Sequence, residues 1–131
     1  MTFKTLSQAL ASLTAALSLS LLFLPQSVLW VFGVEPTESA LFISRRAGAL
    51  FIAFAVIAYL GRTAAPSSLR QAVCLGLSLS FGALAVLGIF ELTRGYAGPG
   101  ILFPIVAETL FAYAYWLIWR NSRFEAEDQV R

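Results

Sequence analysis

Residues 71–92 read QAVCLGLSLSFGALAVLGIFEL, 22 positions whose only charge is Glu91 near the far end. At 1.5 Å of rise per residue a helix of this length reaches about 33 Å, enough to cross the hydrocarbon core of a bilayer. Three further runs have the same character, at residues 6–24, 40–60 and 101–119. The whole chain has 131 residues, of which 59% are hydrophobic and only 12% charged, and its mean hydropathy is +0.79. A water-facing surface needs roughly twice that share of charge, whereas a lipid-facing one does not. The predicted fold class is therefore all-α: a transmembrane four-helix bundle, up-down-up-down, occupying residues 1–131 as a single domain.

The segments between the spans have distinct roles. Pro25 stops or kinks the first helix. Residues 26–33, QSVLWVFG, are too few to cross a membrane, and Trp30 and Phe32 suit the headgroup boundary, so a short interfacial segment is predicted there. Residues 34–39 form a polar loop carrying Glu35 and Glu38. Residues 61–68 and 93–100 are turns by their Gly, Pro and Ser content. The polar tail, residues 120–131, is read as frayed helix or disorder. Only Lys4 precedes the first run and no small-x-small site follows it, so it reads as a retained anchor.

Charge sets the orientation. With the N-terminus inside, Lys4, Arg62, Arg70, Arg120, Arg123 and Arg131 face the cytoplasm, and the opposite loops hold only Arg94 with Glu35 and Glu38. The positive-inside rule then predicts a multi-pass protein of a bacterial inner (plasma) membrane with both termini cytoplasmic. Basic residues placed singly at span ends do not form a phosphate-tracking patch, so nucleic acid is not an expected partner. The chain has no histidine and one cysteine, Cys74, which removes the usual ligands for haem, copper and zinc and any Cys-x-x-Cys pair. No metal and no cofactor is expected, and Cys74 reads as a small packing residue. No paired carboxylates, serine–histidine arrangement or phosphate-binding glycine loop points to catalysis, so the chain reads as a non-enzyme.

Small residues mark helix contacts in lipid. The first span offers Ser7, Ala11, Thr14 and Ser18, and the third offers Gly76 with Ser80 and Ser78 with Gly82. Wound at 100° per residue, the second span puts Arg45, Ala49, Ile52, Ala53 and Val56 on one side, with Arg46 at its edge. Leu50, Phe51, Phe54 and Ala58 fall opposite. Taking the bulky side as the lipid face turns both arginines inward. The fourth span places Glu108, Ala112, Tyr115 and Trp119 together, opposed by Phe103, Val106, Leu110 and Leu117.

Arg45, Arg46, Glu91 and Glu108 are thereby expected in the outer half of the bundle, with Tyr115 and Trp119 below them. Charge inside a membrane demands a partner or a function. Three readings stand: a structural ion pair that fixes helix register, an outward-facing pocket whose arginines hold an anionic small molecule or lipid headgroup, and a proton relay through Glu108. A late start of the fourth helix at Pro104 would instead place Glu108 in its first turn, where the helix dipole favours a carboxylate.

Two known four-span groups fit poorly. Small multidrug exporters carry a glutamate in the first helix, which has no acidic residue here. Dual-topology fluoride channels carry an early glycine-rich motif ending in arginine, which does not occur before Gly33. Phe23-Leu-Pro25 followed by Phe32-Gly-Val-Glu-Pro36, and Arg46-Ala-Gly48 opening the second span, resemble the pattern of bacterial four-helix membrane proteins of the domain-of-unknown-function type. That resemblance implies a fold and a membrane but no activity. The functional expectation is a small ligand- or lipid-binding bundle, or an accessory subunit of a membrane complex. The alternative is an oligomeric transporter or channel. Expected partners are the lipid bilayer and either further copies of the chain or a larger complex.

Overall fold

A computed structural model describes residues 2–128, with side chains described through Ser122. All regular structure among the described residues is helical: α1 (Phe3–Phe23), α2 (Pro25–Val31), α3 (Glu38–Gly61), α4 (Ser68–Thr93) and α5 (Leu102–Asp128). A single 3-10 turn, Pro99–Ile101, leads into α5. The helices α1, α3, α4 and, counted with its leading turn, α5 are each long and apolar enough to cross a bilayer. This is the architecture of a multi-pass four-helix membrane protein, with α2 as the short extra segment after the first span.

Local chemistry sets the boundaries. Thr2, Thr37 and Ser67 each accept a hydrogen bond from a backbone N–H three residues on, capping α1, α3 and α4. Leu24 leaves the helical region at φ −130°, and Pro25 follows at the start of α2, where its missing N–H removes no intrahelical bond. Pro104 is accommodated likewise in the opening turn of α5, so that helix begins ahead of the proline rather than after it. Glu108 consequently lies in the second turn, beyond the reach of a first-turn dipole argument. The tail read as frayed or disordered continues α5 as helix through Asp128, and its remaining residues lie outside those described.

The helices associate as two pairs, α1 with α3 and α4 with α5, which meet each other less extensively. Small residues allow the close approach within each pair. Ser18 Oγ donates to the Gly48 carbonyl at 2.7 Å across α1 and α3, and Ser78 Oγ donates to the Ala112 carbonyl at 2.8 Å across α4 and α5. The predicted α1 stripe of Ser7, Ala11, Thr14 and Ser18 is buried along its whole length. In α4, Ser78 is buried, whereas Gly76 is exposed with open space around it.

The two pairs are joined at opposite ends of the bundle. At one end Phe3, Leu6, Leu10, Ala58, Cys74, Leu77, Phe81 and Tyr115 form the buried core. There the Ser7 and Tyr115 hydroxyls meet at 3.1 Å, a buried hydrogen bond from α1 to α5. Phe54, Phe81 and Phe111 continue the core inward as neighbouring rings 5.6 and 6.0 Å apart, linking α3, α4 and α5. Arg62 and Arg70 close this end, with Arg70 4.2 Å over the Phe3 ring and Arg62 bonded to the Tyr59 carbonyl.

The other end is a clamp between the turn after α2 and the turn before α5. The Gly98 N–H donates to the Phe32 carbonyl at 2.7 Å. Gly33, in the left-handed region at φ +67°, has Gly98 so close that an added Cβ would lie 2.6 Å from its Cα. A Cβ on Gly100 would overlap the Val31 carbonyl oxygen.

The predicted facing of the second span is overturned except at Leu50, which is exposed as expected. Leu41, Ser44, Gly48 and Ala58 are the buried positions of α3, and Phe51 and Phe54 pack against the core. Arg45, Arg46, Ala49, Ile52, Ala53 and Val56 are exposed. Lipid makes bulk an unreliable sign of the outward face, because association in a bilayer depends on close packing and not on removing apolar surface from water. The contact face is the one carrying Ser44, Gly48 and Ala58 at helical spacing, and its aromatic residues fill the gap toward α4.

Candidate functional site

Four predicted site residues belong to the end of the bundle that holds the glycine clamp. Arg45 and Arg46 enter α3 within two turns of its start and lie exposed on its outer surface, with the Arg46 guanidinium 5.6 Å from the Phe42 ring centroid. Near the helix end a long side chain can carry its charge back to the headgroup region while its stem stays apolar, so no inward partner is required. Glu91 pairs with Arg94 at 3.6 Å, one turn along α4, and Arg94 also lies over the Phe90 and Tyr96 rings. Partly exposed, that pair contributes no more than about 1 kcal/mol and reads as finishing the helix end. Among the described residues neither Arg45 nor Arg46 forms an ion pair with Glu108, so the expected four-charge cluster does not assemble.

Tyr115 and Trp119 share the inward face of α5 with Glu108, as the spacing predicts, but serve the opposite end. Tyr115 is wholly buried and engaged with Ser7, and Trp119 packs against the core. The outward residues of α5 are Phe103, Val106 and Leu110, all strongly exposed.

Glu108 opens into a space the sequence does not announce. Between the two joins, the helix pairs leave a cavity of about 280 Å³. Its walls come from every helix, including Thr14 of α1, Val28 of α2, Phe51 of α3, Phe81 of α4 and Phe111 of α5. The walls are overwhelmingly apolar, and Glu108 is the only ionisable residue in them. Leu24, Val31 and Phe103 line the cavity and are also strongly exposed, so the cavity opens to the surface of the bundle beside α2 and the start of α5. The cavity volume is close to the lower bound for small-molecule sites.

Two of the three hydroxyls lining this cavity, those of Thr14 and Ser20, are turned onto their own helix, while the Ser27 hydroxyl has no hydrogen bond among the described residues. Thr14 Oγ1 donates to the Leu10 carbonyl at 2.8 Å, and Ser20 Oγ donates to the Ala16 carbonyl at 2.9 Å. Both hydroxyls therefore spend their proton on their own helix and show oxygen lone pairs to the surroundings. Glu108 has neither a hydrogen bond nor an ion pair among the described residues, and no group of three His, Cys, Asp or Glu side chains gathers there or elsewhere in that set.

Sequence reasoning singled out Glu108 from the rarity of intramembrane charge and Thr14 from its stripe. It missed Phe51, Phe81 and Phe111, since residues 30 or more positions apart carry no local signal of a shared cavity. No family model, curated protein or solved structure matches the chain.

Proposed function

We propose that the protein is a small non-enzymatic binding bundle of a bacterial plasma membrane, with both termini cytoplasmic, whose ligand is a lipophilic small molecule held between the two helix pairs. The observation that carries this reading is the cavity at Glu108: preformed, apolar, open to the surface of the bundle, and furnished with one intramembrane carboxylate. An ionisable group in that setting is a functional-site hypothesis by default, since a bundle without a task would replace it with an apolar residue. Binding is preferred to catalysis because among the described residues no cysteine, lysine or second carboxylate lines the cavity beside Glu108 to activate its hydroxyls or hold a metal. Anionic lipid headgroups, expected from the sequence as ligands of the arginines, are assigned to the outer surface of α3, where Arg45 and Arg46 are exposed.

The test is a two-dimensional NMR titration of the detergent-solubilised protein with tert-butylbenzene, a neutral probe of ten heavy atoms. Saturable amide shifts at Thr14, Ala107 and Phe111 are expected, and Ala107→Phe, which fills the space, abolishes them. Shifts distributed over the outer faces of all four long helices, unchanged in Ala107→Phe, would show simple partitioning and refute the reading.

A further inference from the structure

We infer that the cavity selects an organic cation, a ligand with a substituted ammonium head on a compact apolar body. The inference rests on the proposed reading of the cavity as a ligand site and names its substrate class. It follows from four features of the walls taken together.

First, the Glu108 carboxyl is the only ionisable group among the wall residues, and among the described residues nothing compensates its charge when it is ionised. The basic side chains at this end of the bundle are occupied elsewhere, Arg45 and Arg46 on the outer face of α3 and Arg94 with Glu91. A charge in a low-dielectric space interacts strongly with whatever enters, so a cation is drawn in and an anion is repelled. Second, two of the three hydroxyls in the walls, those of Thr14 and Ser20, have committed their protons to backbone carbonyls and add further negative potential, which leaves Ser27 as the one hydroxyl donor there. Third, five phenylalanines, Phe32, Phe51, Phe81, Phe103 and Phe111, line the same space. Aromatic faces attract cations through the ring quadrupole, and the attraction grows where water is excluded. Phenylalanine brings no hydroxyl or N–H donor, so five such rings supply this attraction without offering an anion anything in return. Fourth, the mouth between Leu24, Val31 and Phe103 is apolar, which suits a guest arriving from the membrane rather than from water.

The combination favours a head whose charge is spread over methyl groups, because such an ammonium is lightly hydrated and can exchange water for aromatic faces at low cost. A strongly hydrated inorganic cation gains nothing from these walls, and a neutral hydrocarbon leaves the carboxylate uncompensated.

Three probes of ten heavy atoms each separate the possibilities: phenyltrimethylammonium, its carbon isostere tert-butylbenzene, and benzenesulfonate. Titrated by NMR as above, wild-type protein is expected to bind phenyltrimethylammonium at least about tenfold more tightly than tert-butylbenzene, and to bind benzenesulfonate most weakly. Glu108→Gln is expected to reduce the cation's advantage to about threefold or less while keeping tert-butylbenzene in place, and Glu108→Asp to restore part of it. Should tert-butylbenzene bind in the cavity with the cation showing no advantage, the inference falls and the proposed function stands. Should the advantage survive unchanged in Glu108→Gln, the carboxylate is not the recognising group and the inference is likewise overturned. Should none of the three give saturable shifts that Ala107→Phe removes, both readings fail together.

Discussion

Replacing Gly100 by alanine tests how the two helix pairs are held at the clamp. An added Cβ would overlap the Val31 carbonyl oxygen and lie 2.9 Å from the carbonyl carbon behind it. Carbon and oxygen approach without strain to about 3.3 Å, so the two turns must separate by roughly 1.5 Å. That movement pulls the Gly98 N–H from the Phe32 carbonyl, now 2.7 Å away, beyond hydrogen-bonding range. Losing the bond costs about 0.5–1.5 kcal/mol, and the residual overpacking about 1–3 kcal/mol, for a total of about 1.5–4.5 kcal/mol. Unfolding by SDS in mixed micelles, followed by far-ultraviolet circular dichroism, measures the change. Gly76→Ala supplies the control: Gly76 lies within α4 with nothing inside 4 Å of an added Cβ, so alanine there is expected to stabilise by about 0.5–1 kcal/mol. Gly98→Ala should fall between the two, because its new Cβ meets the Gly33 Cα at a less severe 3.1 Å. Equal stability of Gly100→Ala and wild type, with ligand binding undisturbed, would show that the clamp does not hold the cavity walls together and would refute the reasoning.

Other expectations concern single contacts and topology. A double-mutant cycle of Ser7→Ala with Tyr115→Phe should give a coupling of about 0.6 kcal/mol and no more than about 1.7 kcal/mol, the range found for interhelical hydrogen bonds in membranes; a coupling of zero would remove this bond from the join between pairs. Glu108→Gln should stabilise the empty protein by about 1 kcal/mol or more, since it removes an uncompensated intramembrane charge, and cycles of Glu108→Gln with Arg45→Gln or Arg46→Gln should show less than about 0.5 kcal/mol of coupling. Loss of stability in Glu108→Gln, or strong coupling to either arginine, would reinstate an ion pair. A reporter active only in the cytoplasm should give signal when fused after Arg131 and none when inserted at Thr37; the reverse pattern would invert the membrane orientation.

Much of this architecture is legible in the sequence, and the parts that are not share a cause. Four spans, the break at Pro25, the buried stripe of α1 and the inward face of α5 follow from runs of apolar residues, one proline and the periodicity of a helix, all local quantities. The facing of α3 is misread because a rule from water, bulky residues on one side and charge on the other, was carried into lipid. Ser44, Gly48 and Ala58 mark the contact face of α3 as Ser7, Ala11 and Thr14 mark that of α1. The arginine pair then follows as well: near the start of α3 it needs only the headgroup region, not a carboxylate. Glu108 is visible in the sequence as an anomaly, but its surroundings are not, because Thr14, Phe51, Phe81 and Phe111 meet only when both pairs have formed and come together.

The pairing of α1 with α3 and of α4 with α5 bears on how the protein is made. Each pair is contiguous along the chain, apart from α2 at the turn of the first. The ribosome therefore delivers one complete hairpin before the second begins to emerge, and nothing in the first pair must wait for a distant partner to pack its closest contacts. The link between hairpins, residues 62–67, is a surface segment at the end opposite the clamp. Each hairpin holds the closest contacts of its own pair, Ser18 with Gly48 in the first and Ser78 with Ala112 in the second. What remains for assembly is the late docking of two finished hairpins, the step that creates the space around Glu108. The seam that this docking closes is the one along which the cavity lies.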